Sequence, residues 1–182
     1  MKLSVYIATS VDGFIAREDG AVDWLDGHES AGENEDFGYK AFMDSVDGML
    51  MGRNTYDKVL SFDVGWPYGD KPVFVLTKRP FSPPDAPNAQ VEPLAGSPHE
   101  IVSQLNQRGF THLYIDGGQV VQQFLQEGLV DELIITVIPV LLGKGIPLFG
   151  ALDRDQSVKL MRAEGYSNGF VQTRYVVERP LT

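Results

Sequence analysis

The chain contains no cysteine. Disulfides, thiolate metal sites and cysteine nucleophiles are excluded together, and the composition suits a reducing compartment. Positive charge is also scarce: 15 Lys and Arg stand against 25 Asp and Glu, a net charge of −10. A nucleic-acid partner, which needs a basic surface, is therefore not expected. No apolar run is long enough to span a bilayer. The N-terminus, Met1 to Ile7, lacks a long h-region and a small-residue cleavage site and reads as a first strand. These absences point to a cytoplasmic protein with no membrane partner. The three histidines, His28, His99 and His112, are scattered, and no His/Asp/Glu set has metal-ligand spacing, so no metal is expected. Ser10, Ser45 and Ser61 lie in no nucleophile-elbow pattern, which disfavours hydrolase chemistry.

What is present reads as one α/β domain. A chain of 182 residues with 43% hydrophobic and 22% charged residues can build a full core. Leu3, Val5 and Ile7 alternate with Ser4, Tyr6 and Ala8 as a strand does, and Phe14-Ile15-Ala16 resumes it after Asp12-Gly13. Residues 17–34 are loop-like, long enough to suggest function. Phe37, Ala41 and Phe42 predict a helix over Glu35–Ser45. Met49–Met51 predicts a buried strand, Tyr56, Val59 and Leu60 a helix, and Pro72–Leu76 a strand. The prolines of residues 80–90 forbid regular structure there. Ser97-Pro98-His99-Glu100 spells a capping box, opening a helix that faces inward through Ile101 and Leu105 and ends at Gly109. A strand to Asp116 and a helix carrying Val120, Val121, Phe124 and Leu125 follow. Leu133–Val140 predicts a strand buried on both faces. Val158–Ala163 and Val171–Val177 flank Ser167-Asn168-Gly169 as a hairpin. Strand–helix alternation followed by consecutive strands means a largely parallel sheet with an antiparallel C-terminal edge.

Twice a short apolar strand runs through glycine straight into a helix: Gly48–Met51 into Gly52-Arg53-Asn54-Thr55, and His112–Asp116 into Gly117-Gly118-Gln119-Val120. The first N–H groups of a helix lack internal partners and sit at the positive end of its dipole, so such a turn suits a phosphate. Each turn alone is equally a packing device. The pair suits a ligand with two phosphoryl groups, such as a dinucleotide.

These motifs, together with Ile7–Ala16 and with Pro139–Gly145 followed by Leu148-Phe149, resemble the dihydrofolate-reductase-like superfamily. Within it they are similar to the reductase domain of bacterial riboflavin-biosynthesis deaminase–reductases. The resemblance implies a three-layer α/β fold, with a mixed, mostly parallel sheet of about eight strands. It also implies helices on both faces, NADPH as hydride donor and a homodimer. In the stretch Asp36–Asp44, where the riboflavin reductases carry an Arg/His-rich substrate helix, this chain is acidic and aromatic with one lysine.

By the same resemblance Arg53 and the turn Thr77-Lys78-Arg79 after Leu76 hold the adenosine 2′-phosphate, a dianion that rewards a guanidinium fork, an ammonium and a hydroxyl. The alternative is a solvated basic turn. Asn54 and Thr55 belong to the first glycine turn, and Asp116, Gly117, Gly118, Gln119 and Val120 to the diphosphate turn. Ala8 and Ile15 flank the nicotinamide by resemblance; as bare sequence they are ordinary core. For the proton the leading residue is Asp36, sixteen positions before Gly52. Its alternative role is a carboxylate that favours the helix dipole. Asp12 is a second acid or a turn former, Trp24 a substrate cover or a packing anchor, and Tyr39 a pocket wall or core. The expected function is NADPH-dependent reduction of a small heterocycle, of the 5-amino-6-(5-phosphoribosylamino)uracil type. A dihydrofolate- or pterin-type reductase and a non-catalytic nucleotide-binding protein are the alternatives.

Overall fold

The computed structural model describes residues 1–26, 35–62 and 64–178. The alternating N-terminal segment forms β1 (Lys2–Ser10) and the short β2 (Phe14–Ala16). Then come α1 (Tyr39–Ser45), β3 (Gly48–Gly52), α2 (Arg53–Leu60), β4 (Val73–Leu76) and β5 (Val91–Leu94). α3 (Pro98–Gln107), β6 (His112–Asp116), α4 (Gly118–Gln126), β7 (Glu132–Ile138), β8 (Ile146–Pro147), β9 (Val158–Gly165) and β10 (Val171–Val177) follow.

Eight strands form one sheet in the order β5-β4-β3-β6-β1-β7-β10-β9. The six from β5 to β7 are parallel, and β10 pairs antiparallel with both β7 and β9. β2 and β8 make a separate antiparallel ribbon. Side chains alternate across the sheet. Leu3, Val5, Leu113, Ile115, Leu133 and Ile135 pack with Ile101 and Leu105 of α3 and with Val121 and Phe124 of α4. Met49, Met51, Val73, Val75 and Tyr114 pack on the other face with Phe42 of α1 and Tyr56 of α2. Truncating a core side chain as deeply buried as Phe124 would cost about 3–5 kcal/mol.

Three differences from the sequence reading have physical causes. The helix predicted from Glu35 starts only at Tyr39, because Phe37 (φ 56°) and Gly38 (φ 81°) are both left-handed. A non-glycine residue holds that conformation only when its surroundings over-determine it. Here the Phe37 carbonyl accepts from the Tyr6 hydroxyl (2.8 Å) and Gln172 Nε2 (3.0 Å), while its ring packs edge-on to Tyr166. β5 has no counterpart in the expectations: it contains Pro93, which a strand tolerates at a sheet edge. β8 is two residues long, too short for a periodic pattern. The capping box is formed as read, with Ser97 Oγ accepting from the Glu100 N–H and Glu100 Oε2 accepting from the Ser97 N–H. Among the described residues no helix is long and apolar enough to cross a membrane.

Candidate functional site

β3 and β6 are adjacent and parallel, with Met51 paired to Asp116, so both glycine turns open at one edge of the sheet. They touch. A Cβ at Gly52 would lie 3.2 Å from Cγ2 of Val120 at the start of α4. A Cβ at Gly117 would overlap Oγ1 of Thr55 at the start of α2 and lie 3.9 Å from the Gly52 nitrogen. Gly117 is also left-handed (φ 93°). The two helix N-termini therefore converge on one space.

That space is a cleft of about 730 Å³. Ala8, Ile15, Gly52, Arg53, Asn54, Thr55, Leu76, Thr77, Lys78, Arg79, Asp116, Gly117, Gly118, Gln119 and Val120 all line it. Arg53, Lys58, Lys78 and Arg79 line the cleft, and Arg53 and Arg79 both reach Asp57. Arg53 Nε meets Asp57 Oδ1 at 2.7 Å and its NH1 donates to the Pro80 carbonyl at 2.6 Å. Arg79 donates to Asn54 Oδ1 at 3.1 Å. These contacts brace both guanidinium forks.

The roof is the β2–β8 ribbon. Gly118 lies so close beneath it that a Cβ would meet Ile15 Cδ1 at 3.0 Å and the Pro147 carbonyl at 3.1 Å. The ribbon is latched by Asp12, which accepts from Ser10 Oγ (2.6 Å), Leu142 N–H (3.1 Å) and Gly143 N–H (2.7 Å). These bonds, the Ser10 one first, hold the exposed Asp12 carboxyl below its ordinary pKa. Asp12 thus clamps the loop after β7 and does not line the cleft.

Asp116 is the carboxylate inside. Burial pushes its pKa up to about 6, against the one Gly117 N–H (2.8 Å) that favours the charged form. Tyr68, Tyr39 and Tyr114 stand around it, their hydroxyls raised first by burial and then by the Asp116 charge. The Tyr39 ring meets Tyr6 edge-on at 5.5 Å, and Tyr6 stacks on Phe42 at 5.0 Å. Tyr39 is partly exposed and is not one of the cleft's walls.

The remaining expected site residues lie elsewhere. Asp36 is exposed, lines no cleft, and accepts from the N–H groups of Gly38 (2.9 Å) and Lys40 (3.0 Å). Those bonds, Lys40 first, lower its pKa. It stabilises the start of α1, the dipole role, and the proton-donor expectation gives way. Trp24 is buried with Ile138 and Phe170, a packing anchor outside the cleft wall. Sequence reasoning placed Asp116 with the diphosphate turn and could not foresee its raised pKa, because desolvation is a property of packing. Tyr68 and Lys58 were missed in a loop and on a helix face without motifs. A second cleft, about 440 Å³ between α1 and the β9–β10 hairpin, contains none of the expected site residues.

Known proteins share this architecture. YwjB of Bacillus subtilis strain 168, itself uncharacterized, is 39% identical over 176 residues, 96% of this chain and 97% of its own. A Shewanella sp. PV-4 protein assigned to riboflavin biosynthesis has a crystal structure that superposes with a TM-score of 0.91 at 45% identity, covering 98% of this chain and 100% of its own. A dihydrofolate reductase from Enterococcus faecalis, solved in complex with NADP(H) and RAB-propyl, shares the fold alone: TM-score 0.60 at 16% identity, over 98% of this chain and 97% of its own. The model of the family described as the RibD C-terminal domain matches residues 1–172. The chain belongs to the RibD C-terminal domain family, and its fold is that of the dihydrofolate reductases.

Proposed function

We propose that the protein is an NADPH-dependent oxidoreductase that reduces a small heterocycle. The observation that carries this reading is the convergence, in one cleft, of two glycine-led helix starts, a group of cations and a half-buried, desolvated carboxyl. The cofactor fits the residues present. The glycine-led starts of α2 and α4 present first-turn backbone N–H groups that would cradle a diphosphate, the Gly117 N–H itself being taken by Asp116. Arg53, Lys78 and Arg79, with the Thr77 hydroxyl, suit the 2′-phosphate that distinguishes NADPH from NADH. Ala8 and Ile15 offer a small, apolar surface to the nicotinamide.

NADPH, when bound, supplies a hydride. The chain must then orient the acceptor and deliver a proton to it. Asp116 has a pKa suited to proton delivery, because a carboxyl near 6 is partly protonated at neutral pH, as a general acid should be. Tyr114, buried, and Tyr68, half-buried, belong to the same desolvated setting that raises it. Asp12 holds the roof that closes over the nicotinamide end. The expected aminopyrimidine and the alternative pterin are both rings of the class such a cleft admits.

The test is NADPH oxidation followed spectrophotometrically with a panel of reducible pyrimidines and pterins. Acceptor-dependent oxidation that disappears in Asp116→Asn supports the reading. Saturable cofactor binding with no turnover on any acceptor would favour the nucleotide-binding alternative.

A further inference from the structure

We infer that Gln122, which does not itself line the cleft, is a positioning residue for the coenzyme: its side-chain amide holds the β2–β8 roof down onto the first turn of α4. This rests on the coenzyme reading above. Gln122 lies four residues after Gly118, so the two stand on one face of α4, about one turn apart. Its Nε2 donates to the Pro147 carbonyl at 2.9 Å and to the Leu148 carbonyl at 3.3 Å. The same Pro147 carbonyl lies 3.1 Å from where a Cβ on Gly118 would stand. One carbonyl of the roof is thus held between the Gly118 backbone and the Gln122 amide.

The ribbon needs this support because it is short of bonds of its own. β8 has two residues, its register with β2 is irregular, and Pro147, opposite Phe14, has no N–H to donate. Leu148 N–H donates to the Gly13 carbonyl at 3.0 Å, and Asp12 clamps Leu142 and Gly143. Those bonds tie the ribbon to the turn after β1 and to the loop after β7. Gln122 supplies the tie to α4. The chain closes tightly around that amide: a Cβ on Gly150 would lie 2.7 Å from Oε1 and 3.0 Å from Cδ of Gln122. Ile15, Ala16 and Ile146 of the roof line the cleft, as does Gly118 beneath them. The spacing between roof and diphosphate turn is therefore set by the reach of one glutamine. α4 offers N–H groups with its first turn and fixes the roof above them with its second.

The experiment is calorimetry with the acid-stable NADP⁺, together with amide hydrogen exchange, on the full chain and on two variants. Gln122→Leu keeps most of the side-chain bulk and removes the donor. It should bind NADP⁺ about tenfold or more weakly, the scale of two lost hydrogen bonds. Without coenzyme, the amides of residues 14–16, 146 and 148 should exchange about tenfold faster in it, with those of β1 and β6 unchanged. Gln122→Glu has the shape of the amide but donates only when protonated. Asp153, which accepts from Gln126 one turn further along α4 at 3.4 Å, is a like charge that favours that protonated form. Measured against the wild type at the same pH, Gln122→Glu should lose affinity at about pH 8 and regain part of it at about pH 5, which a packing role would not produce. Wild-type affinity in Gln122→Leu, unchanged exchange of the ribbon, or an equal deficit of Gln122→Glu at both pH values overturns the inference. Saturable wild-type heat beside any of these leaves the coenzyme reading standing. A wild type that gives no saturable heat removes that reading and the inference with it.

Discussion

The hydroxyl of Thr55 fills the space that a side chain on Gly117 would need. One residue opens α2 and the other precedes α4, so this contact couples the two amide cradles. Gly117→Ala meets two penalties at once, the overlap with Thr55 and a left-handed backbone at φ 93°. A loss of about 1–3 kcal/mol of stability is expected, read as a lower denaturation midpoint. Cofactor affinity should fall with it. Thr55→Ala in the same chain should recover part of the stability, since it removes the overlap but not the backbone strain. A Gly117→Ala protein with unchanged midpoint and affinity contradicts the coupling.

The cleft's cations set coenzyme choice. Arg53→Ala combined with Lys78→Ala should remove most of the preference for NADPH over NADH, each charge-assisted contact being worth about 1.5–3 kcal/mol. The readout is the ratio of kcat/KM for the two coenzymes. A wild-type ratio near one rules the assignment out.

Asp116→Asn should lower kcat by roughly 10²–10⁴, the usual contribution of a positioned acid, while NADPH binding persists. In the wild type, kcat should fall as pH rises through about 6, as the carboxyl loses its proton. Stability moves the opposite way to most carboxylates. The folded value is raised above the unfolded one, so stability is lost as pH climbs from about 4 to about 6 and is constant above. The asparagine variant, free of that penalty, should therefore be more stable at pH 7 by on the order of 1–3 kcal/mol. By contrast Asp36→Asn should lower the thermal midpoint and leave turnover intact, because its oxygens hold the Gly38 and Lys40 N–H groups.

Asp12→Ala should loosen the roof. KM for NADPH is expected to rise more than kcat falls, since the loop at Leu142 and Gly143 loses its anchor while Asp116 is untouched. The Asp12 carboxyl is held below its usual pKa, so its contribution is present above the unfolded value and is lost as pH falls through the lowered folded one. An Asp12→Ala variant with wild-type KM argues that the clamp positions nothing.

Much of this was legible in the residues themselves, for reasons that also mark the limit. Leu3, Val5 and Ile7 announce a strand by alternation, and Ser97 with Glu100 a helix start by local chemistry. Gly117 marks a turn whose left-handed backbone and Thr55 contact suit only glycine, and a Cβ at Gly52 would press on Val120. The residues assigned to the coenzyme followed from those turns and from a resemblance, and the fold brings them to one cleft. Asp36 and Asp116 show where local reading fails. Both are carboxylates beside a helix start, and the sequence cannot say that one is exposed on a cap while the other is half-buried and desolvated, near tyrosines brought from α1, β6 and the loop before β4. Phe37 is similar: its strained backbone is held by Tyr6 and by Gln172, residues distant along the chain.

The most direct measurement is isothermal calorimetry of NADPH into the wild-type protein and into Gly117→Ala. The expected result is saturable binding with a dissociation constant in the micromolar-to-millimolar range usual for enzyme ligands, sharply weakened by the substitution. No heat and no saturation at millimolar NADPH in the wild type would contradict the convergence of the two glycine turns on one coenzyme.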